Sequence, residues 1–393
     1  MTHFDTYYKG IFTGELPKFE QTDCSERITK FFQANGVGLR VVGVEYGPVV
    51  TKYICELETD HDRISDVEKL RRDLGLRLGV GASKVYIGES EWQGMVKLAV
   101  EVPNPTRIAV PSGVVIPSVE RRLGELNVCL GVDTSGKPFS INLAKAPHML
   151  IAGQSGSGKS VFINSLICGL LANYSYKYCR VSIIDPKGTE FNGFNDHVSI
   201  GRPVINDTDE EESHSVQYSD DAVGLVTQAV EDMKTRMDHF KRIGVHNLGE
   251  ATHSTDGLVF PFHVIVIDEF YDLIMTYGDK FAGPLSVLAA KARSAGIHLV
   301  LATQRPSADV IKGALKANLS TRIALKVASR TDSQVIIDQG GADSLCGKGD
   351  MLYCGPDGDV PKRLHGCMLT NAEIEGVRKV SETCHDDMAN IFM

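Results

Sequence analysis

Long apolar runs are missing from this 393-residue sequence. The longest, around Val161–Ala172, is interrupted by Asn164 and Ser165, and a membrane helix needs roughly 20 consecutive apolar residues. A secretory leader is missing too: MTHFDTYYKG has no basic region followed by an apolar stretch. The expectation is a soluble chain that stays in the compartment where it is made. Cysteine pattern is also lacking. The nine cysteines are odd in number, irregularly spaced and without a CxxC pair, which excludes a disulfide scaffold and a zinc ribbon and leaves free thiols. With 42% hydrophobic and 23% charged residues, the chain is not disordered, collagenous or a coiled coil as a whole. It has no internal repeat, and its length suits two or three domains.

Positive charge is scarce overall but concentrated in one place. Forty-one basic residues face fifty acidic ones, a net charge of −9. Residues 291–330 reverse the sign. Lys291, Arg293, Arg305, Lys312, Lys316, Arg322, Lys326 and Arg330 are opposed only by Asp309, giving +7 (8 − 1). Such a strip is either a solvated face or a surface for a polyanion. Acid collects elsewhere, as in NDTDEEE within the insertion 201–221, which reads as a surface loop.

Two textures divide the chain. Residues 39–58, 84–89 and 95–102 are rich in Val, Ile, Tyr and Thr and read as strands. Between them Ile64, Val67, Leu70, Leu74 and Leu78 recur at helical spacing over 62–79. This predicts a small α+β domain at 36–125, after an uninformative segment 1–35. A Pro/Gly-rich connection then runs from Pro103 to about Pro138. Beyond it, HMLIA (148–152), RVSIID (180–185), FHVIVID (262–268) and HLVLAT (298–303) are continuous apolar runs. Continuous runs suit parallel strands buried on both faces. Helical patterns at 159–172, about 222–242 and 283–294 separate them, so 126–375 reads as a doubly wound α/β domain, with a tail at 376–393.

The chemistry begins at Gly153-Gln154-Ser155-Gly156-Ser157-Gly158-Lys159-Ser160, which fits GxxxxGK[ST] between a predicted strand and a predicted helix. Backbone amides and the helix N-terminus would surround phosphates there. Lys159 would reach the β- and γ-phosphates of ATP, and the Ser160 hydroxyl would ligate Mg²⁺. FHVIVIDEF ends an apolar strand on Asp268 and Glu269, at the edge where such sheets bind ligands. Asp268 would hold Mg²⁺ through water, and Glu269 would act as general base on the attacking water. Gln304, ending the next strand, would lie beside the γ-phosphate, or else is simply a turn residue before Pro306.

These segments, with GPVVTKY, EVPN, IIDPKG, KARSAG, the stretch from GALKANLSTR to CGKGDMLY, and RLHG, resemble the motor of the FtsK/SpoIIIE family of double-stranded DNA translocases from about residue 40 to 370. The resemblance implies a RecA-like P-loop NTPase domain beside a smaller N-terminal α+β domain. It also implies a homohexameric ring around duplex DNA, ATP hydrolysed between subunits, and a cytoplasmic location, that of a host if the chain is viral. By position Arg293 is similar to the family's arginine finger, and Arg330 stands where relatives often carry Lys, another contact in trans. Lys316, Asn318 and Arg322 fall in a loop that in the family faces DNA phosphates. The glycines of 338–352 suit a loop that reports nucleotide state, with Lys348 near the DNA or merely exposed. The sequence shows no membrane helix, no long Pro/Gln-rich linker and no winged-helix module, in contrast to the division and sporulation proteins. Two other functions stay open: an ATPase of a secretion apparatus that engages polypeptides, and a nucleotide-binding ring component with little turnover.

Overall fold

The computed structural model describes residues 3–19, 22–82, 84–146, 148–188, 190–191, 194, 215–216, 219–254, 259–306, 313–358 and 360–383. Most of the acidic insertion, Asp309 and Lys312 of the basic strip, and residues 384–393 of the tail lie outside the described residues.

The N-terminal unit is a four-stranded antiparallel sheet of β1 (Leu39–Tyr46), β2 (Val50–Leu57), β3 (Tyr86–Trp92) and β4 (Met95–Pro103), in the order β1-β2-β4-β3. Its core holds Leu39, Tyr53, Val67, Leu74, Val85 and Val100, and also Ile28 and Phe32 from a helix at Ser25–Ala34. The small domain therefore starts about ten residues before the expected boundary, because that helix buries one face on the sheet. The earlier residues Phe4, Tyr8 and Phe12 pack into the core of the larger domain instead. The expected helix over 62–79 is two helices, Ile64–Lys69 and Arg71–Leu78, which break where the Leu70 amide bonds back three residues to Val67 (3.2 Å).

The larger domain is built on a ten-stranded mixed sheet. After β5 (Val110–Pro111), the strands are β6 (Asn127–Asp133), β7 (Pro138–Asn142), β8 (Met149–Ala152), β9 (Cys179–Ile184), β10 (Ser215–Val216), β11 (Phe262–Ile267), β12 (Ile297–Thr303), β13 (Thr321–Leu325), β14 (Asp350–Cys354) and β15 (Lys362–His365); β16 (Cys367–Met368) pairs with β5. The sheet order is β10-β9-β11-β12-β8-β13-β14-β15-β6-β7. It is parallel from β10 through β13 and antiparallel from there to β7. Helices Lys159–Asn173, Ser219–Ile243 and Asp279–Lys291 follow the strands as the sequence predicts. Every residue of β8, β11 and β12 is buried, which agrees with continuous apolar runs covered on both faces.

Two expectations need correction. The segment 103–138 is more than a connection: Val115, Ile116 and Val119 enter the larger core and β6 joins the main sheet. Residues 313–325 are not a loop. Leu315 and Leu319 bury one side of a helix at Gly313–Asn318, and Ile323 and Leu325 lie in β13, so Lys316 and Asn318 sit on that helix and Arg322 on a strand.

The domains meet at a buried charged cluster. Arg363 on β15 donates to Glu101 of β4 (2.8 Å) and twice to Asp350 of β14 (2.9 and 2.6 Å), whose second oxygen also accepts from the Cys346 amide (2.6 Å). All three charged side chains are buried. Burial would push the Asp350 carboxyl up, but Arg363 and His365 outweigh it and hold it well below the usual range. Its stabilising contribution is thus intact at neutral pH and lost as pH falls below about 4. Asp350→Ala, which leaves Arg363 short of its main partner, should cost on the order of 3–5 kcal/mol at pH 7 by urea denaturation. That deficit should shrink in acid.

Candidate nucleotide site

The phosphate loop spans from β8 to the helix Lys159–Asn173. Gly156 and Gly158 adopt left-handed φ of 75° and 99°, a region that glycine enters without steric cost. Gly158 also lies so close to the loop before β14 that a Cβ there would stand 2.4 Å from the Gly349 nitrogen. Neighbouring backbone fixes the loop. The Gln154 amide donates to Lys326 (2.9 Å), Gly153 to Thr303 (3.3 Å), and Gly349 to the Ser157 carbonyl (2.8 Å). Ser155 and Gly156 are exposed, and Ser160 is half-buried in the first helical turn.

Strand order then collects the acids. β8, β12 and β11 are adjacent and parallel, so their C-terminal ends bring Lys159, Gln304, Asp268 and Glu269 to one edge. Lys159, Asp268 and Glu269 are all buried. The Lys159 ammonium is hydrogen-bonded to Asp268 Oδ1 and lies 3.3 Å from Glu269 Oε1. The Gln304 backbone amide donates to Glu269 Oε2 (3.1 Å). Glu269 itself has φ 45°. Burial lifts the Asp268 carboxyl above its ordinary range despite Lys159. Burial also opposes the charge on Glu269, but there Lys159, the Gln304 amide and Lys187 prevail, and its carboxyl sits below the ordinary range. Chemically, such an arrangement can offer a carboxylate oxygen to a water proton next to an ammonium able to pair with phosphate.

A cleft of about 910 Å³ opens over the loop. Gln154, Ser155, Gly156, Gly158, Lys159, Ser160 and Gln304 line it together with Val49, Ile108, Val161 and Met368. The roof comes from the connection between domains. Asn104 ties that segment to the turn before β2, donating to the Gly47 carbonyl (2.7 Å) and accepting from Thr51 (2.9 Å).

The remaining predicted residues lie elsewhere. Arg293 is exposed near the start of β12, beside a second cleft of about 890 Å³ with Arg122, Lys145 and His253. Gln304 directly follows the same seven-residue strand, so at ~3.3 Å per residue Arg293 lies roughly 20 Å from the edge that carries Gln304 and the phosphate loop. Arg330 is exposed at the first position of a helix, Arg330–Ile337, capped by Ser329. Lys316 and Arg322 do come together, since both ion-pair with Asp338, the former at 2.7 Å. Asp338 ends that helix in a left-handed conformation (φ 62°). Asn318 is half-buried two residues from Lys316, and Lys348 is exposed.

Family comparison fits this geometry. The FtsK/SpoIIIE family pattern matches residues 117–308 and that of the FtsK alpha domain matches 15–104. A DNA translocase FtsK from Haemophilus influenzae is 35% identical over 373 residues, which cover 90% of this chain and 70% of that protein. The chain belongs to the FtsK/SpoIIIE family. A DNA translocase FtsK 2 from Ralstonia nicotianae is 37% identical over 90% of this chain, which spans only 46% of that relative's length. Among solved structures, the pCW3 conjugation coupling protein TcpA with ATPgS shares the fold at a TM-score of 0.60, 21% identity and coverage of 91% of this chain and 98% of TcpA. The cytoplasmic domain of the Thermomonospora curvata Type VII secretion ATPase EccC does so at 0.55 and 22%, over 66% of this chain and 32% of EccC. FtsK/SpoIIIE membership supports ATP hydrolysis by the chain, and the two solved structures share its fold. Among the described residues, no helix is long and apolar enough to cross a membrane.

Sequence reasoning missed two groups in this FtsK/SpoIIIE chain. Lys187, in the turn after β9, places its ammonium 3.3 Å from Glu269 Oε1. The same cue that picked out Asp268, polar residues directly after an apolar strand, was present in IIDPKG. Arg363 and Asp350 gave no such cue, since their partners are far apart in sequence. Lys159→Ala should abolish nucleotide binding, and Glu269→Ala should bind ATP without turnover; equilibrium binding of a fluorescent ATP analogue and phosphate release check the pair.

Proposed function

We propose that the chain is the motor of an ATP-driven double-stranded DNA translocase, working as a homohexameric ring that hydrolyses ATP between subunits. Segregation, conjugation and virus genome packaging are the settings such a motor serves. The observation that carries this reading is the Lys159–Asp268–Glu269 cluster at one sheet edge with Arg293 exposed at the other. In this reading an arginine at the far end of β12 from its own phosphate loop would serve the site of another copy.

Each residue has a part. Lys159 would leave its carboxylates for the β- and γ-phosphates, and the loop amides would bind their oxygens. Glu269 would take a proton from the attacking water, held in line by the Gln304 amide. Arg293 of a neighbouring copy would stabilise charge on the transferring phosphoryl group, and Arg330 would make a second contact in trans. The residues present fit Mg²⁺: Asp268 Oδ2 is buried without a hydrogen-bond partner among the described residues, and Ser160 stands beside the loop. Ser160 would hold the ion directly and Asp268 through water, and the ion would neutralise phosphate charge. Lys316, Asn318 and Arg322 are the DNA contacts of this reading, and Asp338 must yield its two cations to backbone phosphates. Such contacts are indifferent to sequence and weaken with salt.

Steady-state hydrolysis without DNA, with single strands and with long linear duplex, using Glu269→Ala as blank, tests the proposal. Stimulation by duplex alone is expected. Activity indifferent to DNA would favour an ATPase that engages polypeptides. Lys316→Ala should keep basal turnover and lose the stimulation at moderate salt. Arg293→Ala should fold and bind ATP but lose turnover in the assembled ring by about 10³-fold, and mixing it with Lys159→Ala subunits should restore part of the activity if the arginine acts in trans.

A further inference from the structure

We infer that Lys187 is a positioning residue for hydrolysis, the cation that keeps the Glu269 carboxylate in place once Lys159 turns to phosphate. The inference rests on the reading of Glu269 as general base.

Glu269 cannot aim itself. Its backbone is left-handed (φ 45°) at the head of the helix Phe270–Tyr277 and makes no capping bond with its own side chain. Outside partners set the carboxylate. The Gln304 amide holds Oε2 (3.1 Å), while Lys159 and Lys187 each stand 3.3 Å from Oε1. These donors come from three separate elements around one buried side chain.

The two lysines are not equivalent. The Lys159 side chain is 3% exposed and is shared with Asp268, whereas that of Lys187 is 45% exposed and pairs with Glu269. A polyphosphate carries more charge than one carboxylate and competes for Lys159 above all. As Lys159 shifts, Asp268 and Glu269 lose the counterion they share. Lys187 is then the remaining cation among the ion pairs that Glu269 makes with described residues.

The lysine is also fixed at its root. Asp185, directly after β9, accepts from the Lys187 amide through Oδ1 (3.1 Å) and from the Glu190 amide through Oδ2 (3.0 Å). The Gly188 amide closes the turn on the Asp185 carbonyl (3.1 Å), and the Asp268 amide bonds to Ile184 (2.9 Å). The turn that carries Lys187 is thus bound to the strand that carries the acids. Ion pairs between two exposed side chains contribute little, but here the carboxylate is buried.

The experiment measures ATP turnover and binding of a fluorescent ATP analogue for wild type, Lys187→Met, Lys187→Arg, Glu269→Gln and the Lys187→Met/Glu269→Gln pair. Lys187→Met should lower kcat by about 10- to 100-fold, part of what a general base supplies, with KM and analogue affinity within about threefold of wild type. Lys187→Arg should recover most of the rate, and the double variant should be no slower than Glu269→Gln alone. Retained analogue affinity reports that each variant is folded. An unchanged kcat in Lys187→Met, a loss confined to KM and affinity, or a further tenfold drop in the double variant would overturn the inference while leaving Glu269 as base. Normal turnover in Glu269→Gln would overturn the base itself, and this inference with it.

Discussion

A single ammonium shared by two buried carboxylates governs this molecule. Asp268 and Glu269 follow each other in the chain at the end of a fully buried strand. Two uncompensated acids there would be costly, since a buried charge needs a partner. Lys159 provides one, and it arrives because β8 and β11 flank β12 in the parallel half of the sheet. The phosphate loop, the strand order and the acids are therefore parts of one electrostatic solution. In the proposed nucleotide site a phosphate entering the cleft would draw the lysine from that solution, so binding and rearrangement of the acids would be physically the same event.

The cleft is also connected to the rest of the chain by short, specific links. Gly349 bonds the phosphate loop at Ser157, and the next residue, Asp350, belongs to the cluster with Arg363 and Glu101. Arg71 of the small domain reaches Ser344 in the same loop region (2.6 Å). The roof of the cleft begins at Asn104, one residue after β4. The small domain is thereby joined to the nucleotide loop through buried polar contacts and not through a loose tether.

Much of this was legible in the sequence, for identifiable reasons. The glycines, lysine and serine of the phosphate loop, and the acids after FHVIVI, are local patterns whose meaning depends only on an adjacent strand. Four of the parallel strands, β8, β9, β11 and β12, announced themselves as unbroken apolar runs, while β13 and the two-residue β10 did not. The antiparallel half did not. β6 is interrupted by Gly131, where the pairing with β7 shifts register and a Cβ would meet the His365 carbonyl. β14 and β15 are short and carry the buried ions Asp350 and Arg363, so no apolar signal marked them. Ile28 and Phe32 were overlooked although they keep helical spacing, because with Phe31 they are the only large apolar residues in that short helix. Lys316 and Arg322 were recognised as neighbours, but Asp338 was invisible as their partner, since a helix and a left-handed turn separate them.

The way the great sheet ends has a consequence for self-association. Among the described residues its outermost strands are β10, with two residues, and β7, with five beginning at Pro138. Proline offers no amide, and two residues offer almost no ladder to extend. Unpaired strand edges are the usual template for runaway stacking between copies of a β-rich protein. In the large sheet, among the described residues, that template is short at β10 and blunted by proline at the start of β7, which limits edge-to-edge stacking there and leaves the faces of the sheet's covering helices as the surface on which a reversible contact could form.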